Sequence, residues 1–328
     1  MYNYENIKEV HLEVTSRCQA RCPMCPRRVS SGPLNPFINL DDITLETFKE
    51  WFPKDFIRQL NILFMCGNLG DPIVAEDTLE IYKYIREINP NIILSMHTNG
   101  SARSIQWWTE LAQVGVHVTF GIDGLADTHA LYRVGTSWNK IIKNAKTFID
   151  AGGHAKWDML IFKHNQHQVK ECDALSKELG FKEFHPKHTS RFDKLKWPIL
   201  DNKGFPLYYI EPTEKSQSMI SLAQEAKIIE NPRIICKAQN MSQIYVSACG
   251  NVSPCCWLDF EWKPPSQESR VDYMERIGVF PNLNKNSLEQ IFHSNVFKKI
   301  EETWLDTPLL ECSKQCGVFD RLGAQTES

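Results

Sequence analysis

Apolar residues in the first half of the chain follow two alternating periods. Short β-rich runs occur at Val10–Val14, Ile62–Met65, Ile92–His97, Val116–Ile122, Lys156–Phe162 and Glu183–His185. Between them lie stretches with apolar residues three and four apart: Thr44–Trp51, Thr78–Ile88, Ser104–Val114, Trp138–Ala151 and Gln168–Leu179. This repeated switch of period predicts βα units, and therefore a parallel sheet with helices on its outer face. Connections of this type are right-handed, so the sheet opens or curls toward a barrel. Ligands of such sheets sit at the C-terminal ends of the strands.

After His188 the pattern breaks. Residues 189–232 are rich in Lys, Pro and polar residues and read as a linker with partial local structure. A second unit follows, with a strand at Ile244–Val246, a turn at Gly250-Asn251 and a strand at Val252. Helical patterns return at Ser287–Ile291 and Val296–Trp304, and Arg321–Ser328 reads as a frayed tail. The expected division is 1–192, a linker over 193–232, a second domain over 233–320 and the tail.

Composition adds one surprise. The net charge of −3 gives no global attraction to nucleic acid or an anionic membrane. No secretory signal pattern opens the chain, and no apolar run approaches the roughly 20 residues of a membrane span. The expectation is a soluble, cytoplasmic protein. Eleven cysteines are many for reducing cytosol, where thiols more often bind metal or do chemistry than pair. They are grouped, at 18/22/25, 236/249/255/256 and 312/316, with Cys66 and Cys172 apart. Grouping is what ligation of one ion or cluster demands.

The first group, Cys18, Cys22 and Cys25, has C-x3-C-x2-C spacing and follows the first predicted strand. Three thiolates can hold three irons of a four-iron cube and leave the last iron open to an amine and a carboxylate. The same three would also serve a zinc loop completed by a distant ligand.

The spacing resembles the hallmark of the radical SAM superfamily, and the likeness continues strand by strand. Gly70-Asp71-Pro72 is similar to the family's Gly-Gly-Glu-Pro segment, with Asp for Glu, and implies a carboxylate for the ammonium of S-adenosylmethionine. Asn99, in Thr98-Asn99-Gly100, matches the turn beside the cofactor ribose. Gly121-Ile122-Asp123-Gly124 resembles a Ser-Ile-Asp-Gly segment whose serine is absent here. Arg133, in a stretch like the family's His…Arg-x-Gly, is the expected partner of the cofactor carboxylate. Met24 stands where the family often has an aromatic residue near adenine.

The second group resembles the family's auxiliary-cluster domain, SPASM, in its shortened Twitch form. Cys236, Gly250 and Cys255 fit C-x13-G-x4-C, and Cys312 and Cys316 fit C-x3-C. The resemblance implies one auxiliary [4Fe-4S] cluster on Cys236, Cys255, Cys312 and Cys316, with the choice between Cys255 and Cys256 open and zinc the alternative occupant. Cys249 is a candidate hydrogen-atom donor to a substrate radical, and equally reads as a small buried hydrophobe. Arginines 17, 21, 27 and 28 flank the first cysteines, and Lys182, His185, Lys187, His188 and Arg191 surround the end of the sixth strand. Either set reads as solvated surface or as a landing for an acidic substrate or electron donor.

The resemblance implies a partial (β/α)6 TIM-like barrel followed by a small α+β Twitch/SPASM-type iron–sulfur domain. It further implies a [4Fe-4S] cluster that binds S-adenosylmethionine, and a low-potential donor such as flavodoxin or ferredoxin. The implied reaction is reductive cleavage to a deoxyadenosyl radical that takes a hydrogen atom from an unactivated C–H. A peptide is the expected substrate, although no winged-helix pattern precedes residue 8. The alternatives are dehydrogenation or epimerisation of a small polar metabolite such as an aminoglycoside-type sugar and, in another class, a zinc-stabilised binding protein without catalysis.

Overall fold

The computed structural model describes residues 2–318 apart from 30, 190, 193, 202 and 219–231. Six parallel strands build the first half: β1 (Glu9–Leu12), β2 (Ile62–Met65), β3 (Ile93–Thr98), β4 (Val116–Gly121), β5 (His154–Ile161) and β6 (Glu183–His188). The predicted helices appear as α1 (Leu45–Trp51), α3 (Thr78–Ile88), α4 (Ile105–Val114), α6 (Trp138–Asp150) and α7 (Val169–Leu179). Two short ones escaped the periodicity, α2 (Lys54–Gln59) and α5 (His129–Tyr132). Side-chain oxygens of Thr44, Ser104 and Ser137 accept the third residue's N–H and so fix where α1, α4 and α6 begin. Gly115 and Gly180 end α4 and α7 at φ 78° and 89°, a conformation that costs glycine nothing.

The period-two alternation of the strands decides which face is dry. Along β5, Ala155, Trp157 and Met159 are fully buried against the helices, with Trp108, Phe120 and Phe148. The alternate residues Asp158 and Leu160 face a cavity inside the curve of the sheet. A closed eight-stranded barrel fills its interior with branched side chains. Here the sheet stays open, so its inner face is the wetter one.

The segment read as a linker contains an antiparallel hairpin of β7 (Trp197–Leu200) and β8 (Pro206–Ile210). Its Ile199 and Ile210 pack with Met24, Tyr132 and Phe162. Residues 219–231 of the expected linker, and the expected tail 321–328, lie outside the described residues. Farther on come β9 (Arg233–Ile234), β10 (Gln243–Val246), β11 (Val252–Ser253) and β12 (Gly317–Val318), of which β9 and β12 pair with each other. Strand β10 lies parallel to β1, with Glu9 opposite Gln243, and β11 lies antiparallel to β10. The sheet order is therefore β11-β10-β1-β2-β3-β4-β5-β6, with main-chain hydrogen bonds crossing the expected domain boundary. A separate apolar cluster of Leu258, Phe260, Tyr273, Ile277, Phe280 and Ile300 supports the C-terminal helices. No helix among the described residues is long and apolar enough to cross a membrane.

Candidate active site and cysteine centres

A cavity of about 370 Å³ opens at the C-terminal ends of the strands. Cys18, Cys22 and Cys25 line one wall, in the loop after β1. The loop after β2 contributes Cys66, Gly70 and Asp71; β3 and its loop contribute His97, Thr98 and Asn99. Gly121, Arg133, Asp158, Lys187 and Arg191 are also among the lining residues. Two glycines stand at close approaches, to backbone at Gly70 and to a side-chain end at Gly121. A Cβ on Gly70 would lie 1.6 Å from the Thr15 carbonyl oxygen, and one on Gly121 would lie 2.7 Å from Arg133 Nη2.

The loops are tied together by buried polar groups. Asp71 Oδ1 accepts from Thr98 Oγ1 at 2.7 Å and from the Ile73 N–H at 3.2 Å. Its Oδ2 accepts from the Asn99 N–H at 2.7 Å and from Asn99 Nδ2 at 2.5 Å. A carboxylate has about four lone-pair positions, so this one is fully engaged. Asn99 reaches on to Cys18, with Nδ2 3.7 Å from Sγ. Asn144, on the buried face of α6, donates to the Gly100 carbonyl at 2.8 Å and holds the same turn from behind.

Arg133 is set from below. Asp123 is fully buried and accepts from Arg133 Nε at 2.6 Å, while its other oxygen takes the Leu160 N–H at 2.7 Å. The Asp123 N–H in turn donates to His129 Nδ1 at 3.1 Å. Burial holds His129 down at about 4, so the ring is neutral and remains an acceptor. Burial pushes the Cys22 thiol up to about 11, against the pull of the Arg133 guanidinium, and raises Cys18 and Cys25 too.

Of the residues expected to contact the cofactor, Gly70, Asp71, Asn99 and Arg133 line the cavity. Asp123 and Pro72 stand one layer behind, and Met24 is buried in the apolar cluster with Tyr132 and Phe162. Cys249 does not line the cavity. It lies in a neighbouring cleft, with Sγ 3.2 Å from Ser247 Oγ. Outside the first cysteine group, Cys66 does face the cavity; its sequence context leaves the same two readings open, hydrogen donor or small buried hydrophobe. The Lys163-His164-Asn165 turn is structural: Asn165 is fully buried and satisfies the Leu160 carbonyl and the Phe162 N–H at 2.9 and 2.7 Å. Arg27 is buried and donates to the Ser16 carbonyl, so of the two readings of its set, solvated surface or landing for an acidic partner, the first does not hold for it.

The remaining cysteines form a second centre. Cys236, Cys255, Cys312 and Cys316 line one small pocket, walled by Ile234, Leu258, Ile300 and Trp304. Cys312 and Cys316 lie four apart on the helix Leu310–Cys316, and so share a face. Cys256 turns the other way. Burial and the charges of Cys66 and Glu13 push its thiol up to about 12, and its carbonyl accepts from Asn68 Nδ2 at 2.8 Å on the cavity side. The geometry thus separates Cys255 from Cys256.

Comparison with known proteins agrees with both centres. The radical SAM superfamily model matches residues 12–173, and the iron–sulfur cluster-binding domain SPASM matches residues 236–317. The chain belongs to the radical SAM superfamily. A tungsten-containing aldehyde ferredoxin oxidoreductase cofactor-modifying protein of Pyrococcus furiosus is 26% identical over 189 residues, 53% of this chain and 49% of that protein. A PqqA peptide cyclase of Bradyrhizobium diazoefficiens is 24% identical over 175 residues, 52% of this chain and 43% of that protein. The chain thus spans about half or less of the length of these curated relatives. Among solved structures, Streptococcus suis SuiB bound to S-adenosylmethionine matches with a TM-score of 0.57 at 13% identity, over 93% of this chain and 71% of SuiB. The same protein bound to its precursor peptide SuiA matches with a TM-score of 0.57 at 14% identity, over 94% and 72%. These likenesses show the fold, a partial barrel with a C-terminal SPASM unit.

Membership in the superfamily implies S-adenosylmethionine, a [4Fe-4S] cluster that binds it and an auxiliary iron–sulfur cluster. The donor sets fit. Three thiols stand beside an open cavity holding a guanidinium and backbone amides, and four thiols line a pocket with apolar walls. Thiolates are the ligands of such clusters, and with the thiols raised by burial, ligation displaces protons.

Proposed function

We propose that the chain reductively cleaves S-adenosylmethionine and uses the deoxyadenosyl radical to take a hydrogen atom from an unactivated C–H of a peptide. The observation that carries this reading is the shared cavity of Cys18, Cys22, Cys25, Gly70, Asn99 and Arg133. In it, Cys18, Cys22 and Cys25 hold the first cluster, which when bound supplies the electron that breaks the sulfonium C–S bond. Arg133, oriented by Asp123, offers its remaining N–H groups to the carboxylate of S-adenosylmethionine. Asp71 has every lone pair engaged within the protein, so it acts on the cofactor by fixing Thr98 and Asn99. Met24 and Pro72 stiffen the loops from behind. Cys236, Cys255, Cys312 and Cys316 hold the auxiliary cluster. A low-potential flavodoxin or ferredoxin in the cytoplasm supplies the electron.

The hydrogen donor that sequence reasoning placed at Cys249 is better placed at Cys66, because only the latter thiol faces the cavity. The peptide reading draws on the SuiA-bound SuiB structure and the PqqA peptide cyclase. A small polar metabolite is the second reading, favoured by the charged cavity floor, where Lys187 Nζ lies 2.5 Å from Asp158.

Anaerobic reconstitution tests the proposal. The expected result is about eight irons and eight sulfides per chain, with deoxyadenosine formed under dithionite and lost in Cys18→Ala. A colourless protein with stoichiometric zinc overturns it.

A further inference from the structure

Beside the main cavity lies a cleft of about 30 Å³, separated from it by Leu69, which lines both. That volume suits a group the size of about two waters, not a whole substrate. Its lining holds four carboxylates, Glu13, Asp41, Asp259 and Glu261, and the rings of Phe37 and Trp262, but no basic side chain. Among the described residues, none of the four carboxylates lies within ion-pair distance of Lys, Arg or His. Two basic groups act on them electrostatically, Lys263 and Arg27, whose buried Nε has no partner among the described residues. Arg27 donates to the Ser16 carbonyl, and Lys263 pairs with Glu311 at 3.5 Å.

Two of the carboxylates are deeply buried, Glu13 at 1% and Asp259 at 4% exposure. Glu13 is satisfied: one oxygen takes the Leu69 and Gly70 N–H groups at 2.7 and 2.9 Å, and the other takes the Tyr245 hydroxyl. The same hydroxyl is 3.2 Å from Asp259 Oδ2. One phenol proton serves one carboxylate at a time. Asp259 Oδ1 is buried and has no hydrogen-bond partner of good geometry among the described residues. Burial, with Glu13 adding, holds the Asp259 carboxyl up at about 7. Two buried carboxylates side by side, one of them short of a partner, are costly unless a proton or a cation joins them, and a cation leaves both ionised. Aromatic faces next to carboxylates suit an organic cation better than a bare metal ion.

We propose that this cleft seats an organic cation of the substrate, a protonated amine or guanidinium, and directs the rest of the substrate past Leu69 into the cavity. Only the identity of what happens beyond Leu69 rests on the radical reading.

Cys249 lines the cleft and serves as a built-in reporter. Reconstituted holoprotein is treated anaerobically with two methanethiosulfonates of similar size, one carrying trimethylammonium and the other sulfonate. Labelling of Cys249 is followed by peptide mass mapping. Both reagents meet the same thiol, so its ionisation cancels in the rate ratio. The cationic reagent is expected to react about tenfold faster, and Asp259→Asn is expected to pull the ratio toward one. Glu261→Gln, at the exposed mouth, gives a second reading if the buried change unfolds the protein. N-acetyl-lysine methylamide or glucosamine, at matched ionic strength, then competes for the seat. Protection by the lysine compound assigns a peptide side chain and protection by glucosamine an amino sugar; either supports the cleft. Equal rates for the two reagents overturn the proposal, as does protection by sodium chloride equal to that by the amines. Deoxyadenosine formation, measured on the same protein, reports separately on the radical reading.

Discussion

The two cysteine centres present the same donor and differ in what surrounds it. In the first loop, three thiols border a roomy cavity together with Asp71, Asn99, Arg133, Asp158 and Lys187. In the C-terminal part, four thiols line a pocket walled by Ile234, Leu258, Ile300 and Trp304. An incomplete ligand set beside polar groups has somewhere to put a second molecule. A complete set behind apolar walls would, once it holds a cluster, tie the segment at Cys236, the turn at Cys255 and the helix Leu310–Cys316 into one body. The contrast teaches that ligand count and wall polarity together separate a reacting centre from a holding one.

The sharpest way to break the comparison is to remove one thiol from each. Cys18→Ala is expected to lower deoxyadenosine formation by about a thousandfold or more, to background, and to halve the iron content from about eight to about four, while thermal unfolding moves little. Cys312→Ala is expected to lower the unfolding temperature clearly, since ligation at a structural site is folding energy. Equal effects of both variants on stability would erase the distinction.

Next in size is the support under the cavity. Arg133→Ala leaves Asp123 buried and unpaired, and is expected to cost about 3–5 kcal/mol of stability by urea titration. Arg133→Lys restores part of that stability but less of the cofactor affinity, because an ammonium lacks the guanidinium fork.

Acid probes the same support. The His129 ring titrates at about 4 when folded and near 6.5 when unfolded, so between those values the unfolded chain binds the extra proton. Stability therefore falls as pH drops from about 6.5 to 4, by up to about 3 kcal/mol from this group. In His129→Gln that portion of the acid dependence disappears, which urea titrations at several pH values would reveal.

The smallest effect is expected at the loop ties. Asp71→Asn keeps the shape but loses the charge that draws in Thr98 and Asn99. Affinity for S-adenosylmethionine, measured by equilibrium dialysis on the holoprotein, is expected to fall about tenfold. Unchanged affinity would mean that Asn99 holds its position without this carboxylate.

Most of the barrel was legible because each βα unit carries its own signals. The capping residues Thr44, Ser104 and Ser137 mark helix starts within a turn, and β2 and α3 run as the periodicity placed them. What escaped was pairing between distant segments. Nothing local in Gln243–Val246 says that it will lie against Glu9–Leu12, and nothing in the Lys- and Pro-rich stretch near Trp197 fixes a hairpin. The site divides the same way. Cysteine spacing picked out the thiols that the fold gathers at the two centres, but spacing along the chain could not say that Cys249 and Cys66 would open onto different hollows. The Asp259–Tyr245–Glu13 network was equally hidden. Its one sequence trace is a pair of polar residues, His11 and Glu13, at alternate positions of an otherwise apolar strand.

The placement of β10 against β1 also bears on how the chain is made. β1 leaves the ribosome before the other strands of its sheet, and its neighbour on that side comes more than two hundred residues later. Until then the nascent sheet carries a bare edge of unpaired N–H and C=O groups, an invitation to intermolecular pairing. Synthesis of this protein therefore has a long vulnerable interval, which a chaperone or slow expression at low temperature would shelter.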